Sequence, residues 1–506
     1  MSIVSTSYGQ VSGAANGSIT VYKGIPFAAP PVGDLRWNAP QPPASWAGVR
    51  DGAAYGPSAM QPVTPGATGI GITTIPGEMS EDCLYLNIWT PATSGKRPVM
   101  VWIHGGAFVV GSGSQALYEG APLAARGDVV VVTVNYRMGA FGFLPGKSLF
   151  GEAFPGTGNE GILDQIAALR WVRDEIANFG GDPDNVTIFG ESAGSISISA
   201  ILGAPSARGL FHKAILQSGS ANIVYPKERG DRMARQFHEA AGSPSFEALQ
   251  AMSAEELLAK QNAMTAQLGA PGKPQSFGEA ASWAPIVDGD VVPVSPFDTV
   301  ADGAHAGVPI VIGTTADEMK LFLAANPEFW QLKEADLEAW VGAWTPGRAS
   351  AVADAYRSAR TARGAATTPA EIYAAVATDG AFRAGAMRLA EDQAAHAPVY
   401  AYLFTWKAAM LNGMLGACHA IDLPFALGNY AIPGMDLFTG TGEGVAKLAG
   451  DVMDAWAAFA RTGDPNHAGL PEWPRFDAAR KATMHLGADY RVEDAPMAAE
   501  LTCWAD

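Results

Sequence analysis

Between the β-branched run Val186-Thr187-Ile188-Phe189 and the helix-like stretch Ser195–Ala200, the chain reads Gly190-Glu191-Ser192-Ala193-Gly194. A serine on a sharp strand-to-helix turn takes strained backbone angles, and glycines at the flanking positions leave room for them. The turn pushes the Ser192 hydroxyl out of the sheet edge. The helix behind it begins with unpaired N–H groups and the positive end of its dipole, both of which favour a developing anion. Gly-x-Ser-x-Gly alone also describes an ordinary glycine-rich turn. The strand before it and the helix after it turn the pattern into a nucleophile site, whose chemistry is acyl transfer through a covalent serine ester.

Such a serine needs a base, an acid that orients the base, and donors for the oxyanion. On this kind of turn the chain order is serine, acid, histidine. Of the eight histidines, His396, His419, His467 and His485 come late enough to fit. His419 follows the glycine-rich stretch Asn412–Cys418, and a loop histidine can swing into a pocket. His467 sits in a turn, His485 reads as a strand residue, and His396 as a helix-end cap. Spacing favours His419 only modestly. For the acid, the apolar run Val311-Ile312-Gly313 leads into Thr314-Thr315-Ala316-Asp317-Glu318, a strand ending in a polar loop. Position does not choose between Asp317 and Glu318, and either also fits a solvated helix N-cap. His104-Gly105-Gly106-Ala107-Phe108 follows the strand candidate Val99–Ile103, where small residues let backbone N–H groups approach an oxyanion. The N–H of Ala193 would join them. His104 is expected to hold that loop rather than to react.

The elements that must position these residues are legible as a change of pattern near residue 85. The first part is rich in turns and short antiparallel strands, with a Gly/Pro/Thr stretch from Pro62 to Gly77 that reads as a long surface loop. Beyond it, Leu84–Trp89, Val99–Ile103 and Val129–Val134 are nearly continuous apolar strands, as expected of a sheet buried on both faces. Ile162, Ile166, Leu169, Val172 and Ile176 recur at helical spacing within Asn159–Phe179, and the turn Gly180–Pro183 precedes the strand Val186–Phe189. Further strands are expected at Ala214–Gln217 and Pro309–Gly313. This alternation predicts a parallel sheet with helices on both sides. Glu228–Ser282, broken at Gly269–Pro274, and Glu334–Ala395 are helical and read as insertions that roof the site.

The chain has 506 residues, 48% of them hydrophobic, and a net charge of −17, which makes nucleic acid and anionic membranes poor partners. Met1–Thr6 lacks a basic start and an apolar core, so no signal peptide is expected. Val129–Val134 is far too short to span a bilayer. The three cysteines, Cys83, Cys418 and Cys503, are widely separated and lack metal-ligand spacing. Free thiols in a cytoplasmic protein are expected, with no metal and no cofactor.

Several further runs carry a resemblance. Tyr22–Ala28, Pro30–Trp37, Ser80–Asn87, Asn135–Gly142, Asn159–Gly194, Trp456–Ala460 and Trp473–Phe476 together resemble the type B carboxylesterases, the family of bacterial para-nitrobenzyl esterases, mammalian carboxylesterases and cholinesterases. The resemblance covers nearly the whole chain. It implies an α/β-hydrolase fold with a mostly parallel sheet and helical insertions over an active-site gorge. One domain, 1–506, would comprise N-terminal strands and loop (1–84), core sheet (85–225 and 283–330), helical insertions (226–282 and 331–397) and a C-terminal part (398–506). It implies a serine carboxylesterase whose triad is Ser192, His419 and Glu318 rather than Asp317. Its oxyanion donors would be Gly106, Ala107 and Ala193. Ser218 would support the acid and the imidazole by hydrogen bonding, and Gly105 and Glu191 would also support the site. Trp102, Phe108 and Phe141 are candidates for packing round the pocket, with Phe108 expected to touch substrate. The family's secreted members close an N-terminal loop with a disulfide to the position of Cys83. Its mate falls on Ser58, so Cys83 is expected to be free and the loop Met60–Ser80 mobile. Cys418, beside His419, is expected to be inert filler, with thiol-sensitive activity as the rival outcome. The expected partner is a small ester, bound by a monomer or homo-oligomer. Amide, carbamate or lactone hydrolysis on the same triad, and a non-catalytic binding relative, are the alternatives.

Overall fold

In the computed structural model, which describes residues 2–63, 77–268 and 283–505, one 13-stranded sheet runs through the molecule. It opens with β1 (Ser2–Thr6), β2 (Gly9–Asn16) and β3 (Ile19–Pro26), which pair antiparallel, while β4 (Val49–Asp51) runs beside β2. Then come β5 (Tyr85–Thr90), β6 (Arg97–Ile103), β7 (Val130–Val134), β8 (Gly181–Glu191) and β9 (Lys213–Gln217). A separate two-stranded ribbon joins β10 (Tyr225–Pro226) to β11 (Ile286–Val287). The main sheet is completed by β12 (Ile310–Thr315), β13 (Val399–Phe404), β14 (Ala482–Leu486) and β15 (Arg491–Asp494). Its order is β1-β2-β3-β5-β7-β6-β8-β9-β12-β13-β14-β15. From β7 to β14 every neighbouring pair is parallel. The expected mixed sheet with a parallel centre is the one observed. The turn expected at Gly180–Pro183 is shorter than its sequence suggests. Arg97 pairs with Gly181 and its N–H donates to the Gly180 carbonyl, so the ladder draws Gly181–Asn185 into β8.

The parallel strands are apolar on both faces because both faces are covered. Along β6, Val99, Val101 and Ile103 enter one core, and Met100 and Trp102 the other. The first core includes Ile162, Ile166, Leu169 and Val172 of α1 (Glu160–Glu175), and Ile198 and Ile201 of α2 (Ala193–Leu202). Between β10 and β11 lie α3 (Lys227–Ala240) and α4 (Ala254–Leu268); the break expected at Gly269–Pro274 falls outside the described residues. A third core sits between β12 and β13, where α5 (Glu334–Gly342), α6 (Ala349–Ala362) and α7 (Pro369–Thr378) bury Leu337, Val341, Val352, Tyr356, Ile372 and Val376. One π turn, Asp379–Arg383, joins α7 to α8 (Ala384–Ala394). The second sheet-covering core includes Val445, Leu448, Val452, Trp456 and Phe459 of α9 (Glu443–Thr462). Residues 64–76 of the long N-terminal loop lie outside the described residues. Its two ends are held together by backbone bonds, Ser58 N–H to the Glu78 carbonyl and Ser80 N–H to the Ser58 carbonyl. Ser58 is buried and its hydroxyl donates to Ser112 at 2.9 Å.

Candidate active site

Ser192 occupies the single residue between β8 and α2, at φ +55° and ψ −122°. A side chain in that region is strained, and the neighbouring backbone holds it there. Its N–H donates to the Gln217 carbonyl of β9 at 2.9 Å, and its own carbonyl accepts from Ile196 N–H of α2 at 2.9 Å. Gly194 has no alternative at its position, since a Cβ would lie 2.0 Å from the carbonyl oxygen of Ile103. The glycine lets α2 start directly against β6.

The loop after β6 lies against this turn. A Cβ on Gly105 would meet the Glu191 carbonyl oxygen at 2.7 Å and the Ser192 Cβ at 3.1 Å, so the loop reaches the serine only because residue 105 is glycine. Positive φ angles at Gly106, Ala107 and Phe108 curl the chain, and the Gly106 carbonyl accepts from both Val109 and Val110. Among the described residues, the N–H groups of Gly106, Ala107 and Ala193 donate to nothing. Three uncommitted donors next to a serine can stabilise an oxyanion. His104 braces the loop as expected. It is buried, it stacks on Tyr136 at 4.4 Å, its Nδ1 lies 2.8 Å from the Gly105 carbonyl, and Tyr136 donates to its carbonyl. Burial pushes its pKa down to about 4, so it is neutral.

At the C-terminal ends of β12 and β13, Glu318 and His419 meet. His419 Nδ1 lies 2.6 Å from Glu318 Oε2, and Glu318 Oε1 accepts from Thr315 N–H at 2.7 Å. Both side chains are buried. The choice that position left open between two acids has a structural answer. Asp317 faces the other way and pins the histidine loop: its N–H donates to the Ala417 carbonyl at 2.8 Å, and its carboxylate accepts from Ala417 N–H at 3.0 Å. The other late histidines lie apart from this site. His396 bonds the Ala301 carbonyl, His467 sits in a surface turn, and His485 is in β14 beside Glu493.

His419 has a second carboxylate neighbour. Its Nε2 lies 3.0 Å from Glu191 Oε1, yet that oxygen makes no hydrogen bond, so the approach is a charge contact out of line with the ring N–H. Burial opposes the imidazolium, but Glu191 and Glu318 outweigh it and raise the His419 pKa to about 10. Burial also raises the Glu191 pKa, with His419 opposing the rise. Asp422, three residues beyond His419, completes a buried acidic cluster. It accepts from Gln217 Nε2 at 2.9 Å and the Tyr402 hydroxyl at 3.2 Å, and burial with Glu191 nearby pushes its pKa up to about 7. The spacing His-x-x-Asp is visible in the sequence, and Asp422 is not among the residues expected to form the site. Phe322 and Phe382 each pack 4.9 Å from the imidazole, and neither was anticipated.

One expected support, Ser218, and the expected substrate contact, Phe108, sit differently from their sequence reading. The Ser218 hydroxyl is buried without a hydrogen-bond partner among the described residues, so it does not bond Glu318 or His419 here; its φ of +52° turns it away from an ordinary strand end. Phe108 is 1% exposed and packs edge-on against Phe143, so its ring sits in the core. Its φ of +62° swings it inward. Trp102 is likewise core, between Tyr118 and Phe189. Cys418 is buried with its thiol pKa raised by burial, which fits inert filler. No group of His, Cys, Asp and Glu able to hold a metal ion occurs among the described residues. Nor does any of their helices have the length and apolarity to cross a membrane.

Known proteins resemble the chain over its whole length. The chain is 39% identical to the para-nitrobenzyl esterase of Bacillus subtilis over 98% of its own length and 96% of the relative's. It is 37% identical to the phenmedipham hydrolase of Pseudarthrobacter oxydans, covering 96% and 95%. The crystal structure of the Geobacillus stearothermophilus carboxylesterase EST55 superposes with a TM-score of 0.86 at 41% identity, over 100% of both chains. The fold is therefore that of the α/β hydrolases, and the activity is hydrolysis of carboxylic esters by a serine enzyme. A sequence model of the carboxylesterase family matches residues 1–504, and the chain belongs to that family.

Proposed function

We propose that Ser192, His419 and Glu318 form the catalytic triad of this esterase, with Gly106, Ala107 and Ala193 as its oxyanion hole. The observation that carries the reading is the buried 2.6 Å contact of Glu318 with His419 Nδ1, beside a strained serine flanked by three uncommitted N–H groups. Ser192 Oγ attacks the ester carbonyl while His419 Nε2 takes its proton. The tetrahedral oxyanion is held by the three N–H groups, each worth about 3 kcal/mol in the transition state. His419 then protonates the departing alcohol, and water, deprotonated by the same imidazole, releases the acid from Ser192. Glu318 fixes the tautomer and stabilises the imidazolium. Glu191 supports the resting charge of His419, and Gly105 gives the loop its access to the serine.

Para-nitrobenzyl and other small aryl or benzyl esters are the substrates to try first, on the strength of the para-nitrobenzyl esterase relative. The excess negative charge and the unpaired, mostly buried cysteines support a cytoplasmic enzyme that leaves nucleic acid and anionic membranes alone. We read 226–282 and 331–397 as insertions into one hydrolase domain. The test is Ser192→Ala, expected to lower kcat by about four to six orders of magnitude and to abolish labelling by a fluorophosphonate, with substrate binding kept. Hydrolysis at the wild-type rate in that variant overturns the assignment.

A further inference from the structure

The acid arm of the site has a support that comes from the second insertion and not from the sheet. Thr315, the last residue of β12, is gripped on both sides. Its N–H donates to Glu318 Oε1 at 2.7 Å, and its carbonyl accepts from Arg383 Nη2 at 3.0 Å. The same Nη2 donates to the Ala316 carbonyl at 3.0 Å. Arg383 is buried, and its Nη1 is paired with the buried carboxylate of Asp379. Asp379 is itself held by the Tyr356 hydroxyl at 2.7 Å, and Tyr356 accepts from Trp504 Nε1 at 2.7 Å. A guanidinium in such a place costs desolvation energy, which a purely packing role would not require.

The local geometry explains how it gets there. Asp379 and Arg383 are the first and last residues of the π turn between α7 and α8. A π turn inserts one residue into the helix and rotates the side chains that follow it, and such turns recur at functional sites. Here it points two consecutive residues at the two halves of the acid–base pair. Phe382 packs on the His419 ring at 4.9 Å, and Arg383 binds the carbonyls next to Glu318.

We propose that Arg383 is a positioning residue for ester hydrolysis, fixing the β12 end so that Glu318 stays in line with His419 Nδ1. The proposal rests on the triad reading above. A triad acid needs its carboxylate held to a few tenths of an ångström, because small misplacements near the reacting groups cost rate more than binding. Losing the clamp therefore acts on kcat and leaves KM nearly alone.

The experiment measures kcat and KM on a para-nitrophenyl ester for Arg383→Met, Glu318→Gln and the double variant, with rates expressed per site titrated by a fluorophosphonate so that unfolded protein does not count. The expected result for Arg383→Met is a kcat lower by about 10-fold or more with KM within about 2-fold. In the double variant, Arg383→Met adds nothing to the loss caused by Glu318→Gln, since a clamp on an absent carboxylate has nothing to hold. Val341→Ala, in the same apolar cluster as Tyr356, serves as the control: it lowers the melting temperature and leaves kcat per site unchanged. Should Arg383→Met fold poorly because Asp379 is left unpaired, the paired change Asp379→Asn with Arg383→Met removes both charges and is measured in its place. A wild-type kcat per site without Arg383, or a loss fully additive with Glu318→Gln, overturns the proposal. Unchanged kcat in Glu318→Gln alone overturns the triad reading instead, so the two failures are told apart.

Discussion

Two carboxylates on opposite edges of one imidazole set the resting chemistry of the site. Glu318 sits at Nδ1 and Glu191 near Nε2, and together they raise the His419 pKa to about 10 despite its burial. Glu191 therefore disfavours the neutral imidazole that the proposed mechanism needs to deprotonate Ser192. Removing that charge in Glu191→Gln lets the imidazole lose its proton at lower pH, so the acid limb of the kcat/KM profile moves to lower pH. A limb that stays in place, or moves upward, refutes the coupling. The residues that make this site differ in how openly the sequence displays them. Ser192 and its glycines announce themselves, because the turn they form is local and each residue type answers a local steric demand. The acid was legible to within two neighbours, Asp317 and Glu318. Only the fold shows that one carboxylate pins the histidine loop while the other faces the ring. Phe108 is hard to place from sequence for a related reason. Its place beside the oxyanion loop suggested a pocket wall, and the backbone angle that turns it into the core leaves no mark in the sequence.

At the scale of elements, the strands were legible and their braces were not. Hydrophobic runs mark β6, β7 and β12 because a sheet covered on both faces needs apolar residues without alternation. Arg383, Asp422 and Arg36 act through partners far away in the chain, and periodicity carries no trace of such pairings. Arg36 is the clearest case. Its guanidinium forms two hydrogen bonds with Glu81, at 2.6 and 2.5 Å, and donates to the carbonyls of Gln250 and Met252 at 2.8 Å each. One side chain thus ties the N-terminal turns, the far side of the long loop and the stretch between α3 and α4. Truncation leaves Glu81 and two carbonyls without their donor. Arg36→Ala is expected to lose about 3–5 kcal/mol of stability, seen as a lower denaturant midpoint with kcat per site unchanged. A loss below about 1 kcal/mol, the usual worth of an exposed pair, shows that the four bonds are not a tie between elements.

For the molecule as a whole, thiol reactivity reports where the cysteines lie. Cys83 and Cys418 are buried, whereas Cys503 is partly exposed; burial raises all three thiol pKa values. A thiol reagent such as DTNB is expected to modify at most Cys503 in the native enzyme, without loss of activity, and all three cysteines in denaturant. Inactivation of the native enzyme in step with modification of Cys418 refutes its role as filler. The order of strands has a further consequence for how the enzyme comes into being. The proposed nucleophile and oxyanion loop come from β8 and β6, in the first half of the chain, while the proposed acid follows β12 and the proposed base follows β13. Between them lie the helices α5 to α8, and the π turn between α7 and α8 grips the end of β12. A ribosome that has delivered the serine has delivered no esterase. On the proposed triad, hydrolysis needs the chain through His419 and β13 seated beside β12, so turnover would itself signal that synthesis and assembly of the sheet have passed that point. Until then the partly made chain carries its nucleophile in a harmless form.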